Sequence, residues 1–95
     1  MKIGSIVNQR RRGIEVEGTI VDMVPVTLAR SRKTLMKATL EDETGSITLN
    51  LWGSQSVKFK EGDRVKIING FTRKSSGKFE LNIDSSDDII VLDSE

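Results

Sequence analysis

Apolar and polar residues alternate in short runs from residue 14 onward, and turn-forming residues separate the runs; this is the period-two signature of half-buried strands. IEVEGTIVDMV at 14–24 sets Val16, Gly18 and Ile20 on one face, and a glycine in mid-strand predicts a bulge or a tight bend. Pro25 argues against an inner strand continuing, so PVTLARSRK at 25–33 reads as a basic connection. TLMKATLE at 34–41 follows, with Met36, Ala38 and Leu40 on one face. Glu43, Thr44 and Gly45 make a turn in which the glycine supplies a positive φ. In SITLNLW at 46–52, Ile47, Leu49 and Leu51 point one way and Thr48, Asn50 and Trp52 the other. EGD at 61–63 is a turn into RVKIINGF at 64–71, whose Val65 and Ile67 share the inner face. Asn69-Gly70 is a strong hairpin pair, but a hairpin there leaves too little strand before SSG, so Gly70 reads as a bulge. RKSSGK at 73–78 is then the hairpin loop, and FELNI at 79–83 the last strand, with Phe79, Leu81 and Ile83 on its inner face. The only helical signal is SQSVKF at 54–59, one short turn capped by Ser54.

Five strands in an open sheet would expose edges and one whole face; closing them removes most of that exposure. The expected fold is all-β, a five-stranded Greek-key OB-fold barrel with at most a short helical turn between strands three and four. With 95 residues the chain has room for one domain, expected to span 1–95. Its only aromatics are Trp52, Phe59, Phe71 and Phe79, so Ile, Val and Leu must build the core. Phase places Phe79 in that core, and Phe59 is expected to cap one end of the barrel.

Composition removes several function classes. There is no cysteine and no histidine, hence no disulfide framework, no thiolate metal site and neither the commonest general base nor the commonest zinc ligand. No nucleophile–base pair and no GxxxxGK loop occurs, so neither an enzyme nor a cofactor is expected. Glu41, Asp42 and Glu43 beside a turn read as solvated acids, and no metal site is expected. No apolar run is long enough for a membrane span and no signal peptide is visible, so a cytoplasmic, nucleoid-associated protein is expected. Net charge is only +1, but residues 1–83 carry +6 and the acidic C-terminal tail, 84–95, carries five acids and no base. A basic body is compatible with a polyanionic partner.

VEGTIVD, ATLEDETGSITLNLWG and KFKEGDRVKIINGF, in that order, resemble an OB domain of archaeal replication protein A and the simpler archaeal single-stranded DNA-binding proteins; the resemblance covers about residues 3–91. It implies single-stranded DNA binding on the outer face of strands two and three, between two flanking loops. By position, Trp52 matches an aromatic after the third strand that stacks on a base, and Phe71 one at the end of the fourth strand. Arg30, Arg32 and Lys33 fall in the first flanking connection; Arg73, Lys74 and Lys78 fall around the second, which carries no aromatic within it.

The residues carry their own reading beside that resemblance. If Ile47, Leu49 and Leu51 line the barrel, the Trp52 indole lies outside and suits stacking; the other reading is a plug over the barrel's end. Phe71 follows the bulge, which leaves base contact and rim packing both open. Lys37 and Thr39 share the outer phase with Thr48 and Asn50, where polar side chains suit base edges or phosphates. Arg10-Arg11-Arg12 is the densest charge run, with no position readable from sequence. The expected function is sequence-tolerant single-stranded DNA binding in replication, repair or recombination, with other OB domains or subunits of a replication protein A assembly as further partners. The alternatives are a protein-interaction OB module of such a complex and an RNA- or tRNA-binding OB domain.

Overall fold

The computed structural model describes residues 2–27, 34–52 and 60–93. The alternating runs form β1 (Ile14–Thr27), β2 (Thr34–Asp42), β3 (Gly45–Trp52), β4 (Arg64–Ser75) and β5 (Lys78–Asn82), followed by a further strand, β6 (Ile89–Asp93). β1, β2 and β3 pair antiparallel in sequence, β3 pairs parallel with β5, β5 antiparallel with β4, and β4 returns to β1. That cycle closes the five-stranded barrel expected from the pattern. The expected helical turn at 54–59, with Phe59, lies outside the described residues, as do Arg30, Arg32 and Lys33.

Closure depends on β1 serving two partners. Its first half, to Thr19, pairs with β4, and from Thr19 onward it pairs with β2. Gly18 sits at this corner, fully covered: a Cβ there would lie 2.8 Å from the Glu41 carbonyl oxygen and 2.9 Å from Leu40 Cγ. The glycine thus marks a close backbone approach, while the bulge itself falls beyond it, where Ile20 faces Leu40 and Asp22 faces Thr39 with Val21 extra. The 61–63 turn completes the corner, with Gly62 N–H donating to the Ile20 carbonyl (2.7 Å) and Ile20 N–H to the Asp63 carbonyl (2.9 Å).

Pro25 does not end β1, as its sequence suggested; it pairs with Met36, and the strand runs on to Thr27. The reason is position. Beyond Thr19 β1 has β2 on one side and, among the described residues, no strand on the other, and an edge strand tolerates a residue with no N–H. In β4 the extra residue expected near Gly70 is present: two steps of β1, from Ile14 to Val16, span three of β4, from Gly70 to Ile67. The left-handed residue of that bulge is Asn69, at φ 53°, and Gly70 is buried against Ile67 and Leu81. The last hairpin turns on two residues, Ser76 and Gly77 at φ 50° and 85°, so much of RKSSGK is strand rather than loop.

The core is aliphatic, as the scarcity of rings required. Val16, Ile20, Ala38, Leu40, Ile47, Leu49, Leu51, Val65, Ile67, Leu81 and Ile83 fill it on the inner phases read from the sequence, Ile14 joins them in step with Val16, and Met36, expected on the same face, is only partly buried against them. Three further members among the described residues come from outside the stretch 14–83. Ile3 and Ile6, both 0% exposed, belong to a 3-10 turn (Ile3–Ser5) and the residue after it, which plug one end of the barrel. Ile89, 3% exposed, comes from β6. The segment read as an acidic tail is therefore partly structural: a 3-10 turn (Ser86–Asp88) leads into β6, which pairs with Arg64–Ile67 on the edge of β4 opposite β1. Removing residues 84–95 would strip a core side chain along with the five acids.

Asp42 fastens the N-terminal plug. Its carboxylate accepts from Ile3 N–H (2.9 Å), Thr44 N–H (2.7 Å) and Thr44 Oγ1 (2.5 Å), while Gly4 N–H donates to Thr44 Oγ1 (2.8 Å) and Lys2 pairs with Glu43. Burial pushes the Asp42 carboxyl up, but these donors outweigh it and hold the group below its ordinary value. A depressed folded value means that the stabilisation is complete above the unfolded-state value and is lost as pH falls through the folded one. Asp42→Ala is expected to lower stability by about 1–2 kcal/mol at neutral pH. Urea denaturation should show the gap between variant and wild type closing as the solution is acidified below the carboxylate range.

Candidate nucleic-acid interface

Strand phase and cross-strand register assemble one outer face from five strands. Trp52 stands opposite Leu35 of β2, which stands opposite Val26 of β1; Asn50 faces Lys37, and Thr48 faces Thr39. On the other side Asn50 neighbours Asn82 of β5, Asn82 faces Phe71 of β4, and Glu80 faces Arg73. Lys37, Thr39, Thr48, Asn50, Trp52, Phe71 and Arg73 are thus brought onto one surface, whereas Lys74 and Lys78 sit at its hairpin end.

Two hollows lie along this face, and Glu80 borders both. One, of about 280 Å³, runs between Trp52, Leu35 and Val26 on one side and Arg73, Ser75 and Asn82 on the other, with Lys37 and Asn50 in its floor. Trp52 is 38% exposed, so its indole is outside the barrel, as its phase predicts. The second hollow, of about 480 Å³, is lined by Thr39, Thr48, Lys74, Lys78 and Phe79 together with Val7 and Asn8. Phe79, expected in the core, is instead half-buried at the rim of this hollow, with Lys74 Nζ 6.0 Å from its ring centroid. Its phase matches Leu81, but it lies at the hairpin end of β5 and its neighbour across the hairpin is Lys74. Phe71 is also half-buried, with the Arg73 guanidinium 5.9 Å from its ring centroid, a distance suited to cation–π attraction.

Polar groups in the centre of the face are already engaged. Lys37 Nζ donates to both Glu80 oxygens and to Asn50 Oδ1, each at 3.2 Å, and Asn50 Nδ2 donates to Glu80 Oε1 at 2.9 Å. Asn50 is on the expected face but only 6% exposed, covered by this network. Glu80 had no place in the sequence reading. Its phase, alternating with Phe79 and Leu81, was legible, but its contact with Lys37 follows from β5 lying parallel to β3, a pairing between strands far apart in sequence.

Charge is distributed unevenly over the barrel. In the first half of β4, Lys66 pairs with Glu15 (2.8 Å) and Arg64 with Glu17 (3.4 Å); the first contact raises the Lys66 pKa and lowers that of Glu15. Around the hairpin, Arg73, Lys74 and Lys78 are exposed and form no ion pair among the described residues. The arginine run also acquires a position. Arg11 N–H donates to Thr72 Oγ1 (2.7 Å), Thr72 Oγ1 to the Gln9 carbonyl (2.7 Å), and Thr72 N–H to the Arg11 carbonyl (2.9 Å). The backbone of that exposed run is therefore stitched alongside Phe71 and Arg73, while β6 and its acids follow the other half of β4.

Residues 14–89 match the family model described as the OB-fold nucleic acid binding domain of the tRNA anti-codon type. The chain belongs to this family. Within it, a 53-residue stretch of this OB-fold domain is 42% identical to the single-stranded DNA binding protein Ssb of Saccharolobus solfataricus, taking in 56% of this chain and 36% of that protein. The match thus spans little more than a third of the curated relative. Among solved structures, the fold is similar to the second OB-fold domain of replication protein A from Methanococcus maripaludis (TM-score 0.69, 20% identity, 100% of this chain and 98% of that one). It is also similar to the replication factor A related protein of Methanobacterium thermoautotrophicum (TM-score 0.68, 23% identity, 98% and 90% covered). The resemblance to archaeal replication protein A and single-stranded DNA-binding proteins, and the OB barrel inferred from alternation, are both borne out.

Proposed function

We propose that this OB-fold domain binds single-stranded DNA across the face that carries Trp52. The observation that carries the reading is the exposed indole lying in one hollow with Leu35, Val26 and Arg73: a flat aromatic surface with a cation beside it. Base–aromatic stacking is sequence-tolerant because every base has a π-face, and it contributes about 1–3 kcal/mol per base. Phe71 and Phe79 offer further ring surface along the same path, and Arg73, Lys74 and Lys78 supply charge for phosphates. The two threonines Thr39 and Thr48 line the second hollow with hydroxyls for base edges or phosphates. Arg30, Arg32 and Lys33, from the connection between β1 and β2, complete the proposed set.

The name of the Saccharolobus relative supports DNA as the partner, and a role in replication, repair or recombination at the nucleoid accords with it. The domain acts as a binding module without catalysis; its sequence offers no histidine and no cysteine. Among the described residues, no helix is long and apolar enough to cross a membrane. Further OB domains or subunits of a replication protein A assembly would raise avidity beyond what one small domain achieves.

Anisotropy titration with a labelled mixed-sequence strand, its duplex and the matched RNA tests the reading. Preferred binding of the DNA single strand is expected, with log K falling against log salt by about 0.7 per phosphate neutralised. Preference for the RNA would favour the tRNA-type alternative suggested by the family description. Absence of binding to all three would leave the protein-interaction alternative.

A further inference from the structure

We propose that Glu80 gives this face a base preference, accepting a hydrogen bond from an exocyclic amino group and disfavouring thymine. The inference deepens the single-stranded DNA reading and rests on it.

A carboxylate in the middle of a surface that meets a polyanion opposes binding unless its charge is offset. Lys37 offsets it here: the ammonium reaches both Glu80 oxygens at 3.2 Å, and the Glu80 side chain keeps only 16% of its surface exposed. The pair also removes Lys37 from the set of cations available to phosphates. What remains is a polar platform of fixed orientation, since Asn50 braces both partners, bordering the hollow in which Trp52 stands.

The hydrogen-bond count then fixes what the platform can accept. An ionised carboxylate offers about four acceptor positions and no donor. Oε1 takes Lys37 and Asn50, whereas Oε2 takes Lys37 alone. Among the described residues, one acceptor position on Oε2 is left for a ligand. Cytosine and adenine present an amino group that can fill it. Thymine presents carbonyl oxygens flanking a single N–H, and a carbonyl opposite a carboxylate is repelled. Between two pyrimidines of similar stacking surface, the face should therefore favour cytosine.

The test compares short oligo-dC and oligo-dT of equal length at neutral pH and low salt, for the wild type and for Glu80→Gln. The wild type is expected to bind oligo-dC more tightly by about fivefold or more, the lower end of discrimination by one good base contact. Glu80→Gln keeps the shape but can donate to a thymine carbonyl, so the gap should close, with most of the change on oligo-dT. An oligomer of N4,N4-dimethylcytosine, which has no amino hydrogen, should lose the preference on the wild-type protein and needs no variant to fold. Equal affinity of the wild type for dC and dT overturns the proposal while leaving DNA binding intact. So does a uniform change on both oligomers in Glu80→Gln, which marks Glu80 as a holder of Lys37 only. No binding of any oligomer to the wild type overturns the single-stranded DNA reading and this inference with it.

Discussion

Trp52→Ala is expected to weaken single-stranded DNA binding by about 1–3 kcal/mol, roughly 5- to 150-fold, with little change in stability. The indole is the most exposed ring among the described residues and stands on the outer phase of β3, so its removal opens no hole among the aliphatic core residues. Opposite it, Leu35 is only 5% exposed although it too lies on the outer phase, and some of its cover would be lost. Trp52→Phe separates the two effects. A smaller ring retains a π-face and should recover most of the affinity, whereas a loss that phenylalanine cannot rescue would point to the indole's packing instead. Binding constants at one fixed salt concentration, with urea midpoints for all three proteins, check this.

The second large effect is structural. Leu81→Ala is expected to destabilise the domain by about 2–5 kcal/mol. Leu81 is 0% exposed and stands where β3, β4 and β5 meet: it faces Leu49 in the parallel pairing and Thr72 in the antiparallel one. Gly70 presses from β4, where even a Cβ would come within 3.1 Å of Leu81 Cδ1. Among the described residues the β3–β5 seam has only two register pairs, so side-chain packing carries much of the barrel's closure there. A domain of this size has about 5–15 kcal/mol of stability, and such a loss should lower Tm by about 10 °C or more. A shift of only a degree or two would contradict a closed barrel at this seam.

Local alternation carried far into this fold because one face of each strand is apolar. Ile47, Leu49 and Leu51 against Thr48, Asn50 and Trp52 could be sorted without any partner strand, and the structure keeps that sorting. The features that escaped depend on who pairs with whom. Pro25 is tolerated because its stretch of β1 lies at an edge. Ile89 and Val91 were hidden by the acids around them, and Ile3, Ile6 and Val7 form too short an apolar group to signal an element, with a burial that needs the β2–β3 turn to dock on. The site divides the same way. Trp52, Thr39, Thr48 and Lys37 could be placed on one face from phase alone. The Lys37–Glu80 pair, the rim position of Phe79 and the stitching of the arginine run to Thr72 arise from non-local pairing, which no run of residues announces.

Trp52 is the only tryptophan in the chain, so its emission reports on one point of the proposed face. Titrating a mixed-sequence single-stranded oligonucleotide into the wild-type protein at low salt should quench and saturate that emission, and added salt should restore it. Saturable binding by anisotropy with unchanged tryptophan emission would place the DNA elsewhere on the barrel and contradict the account.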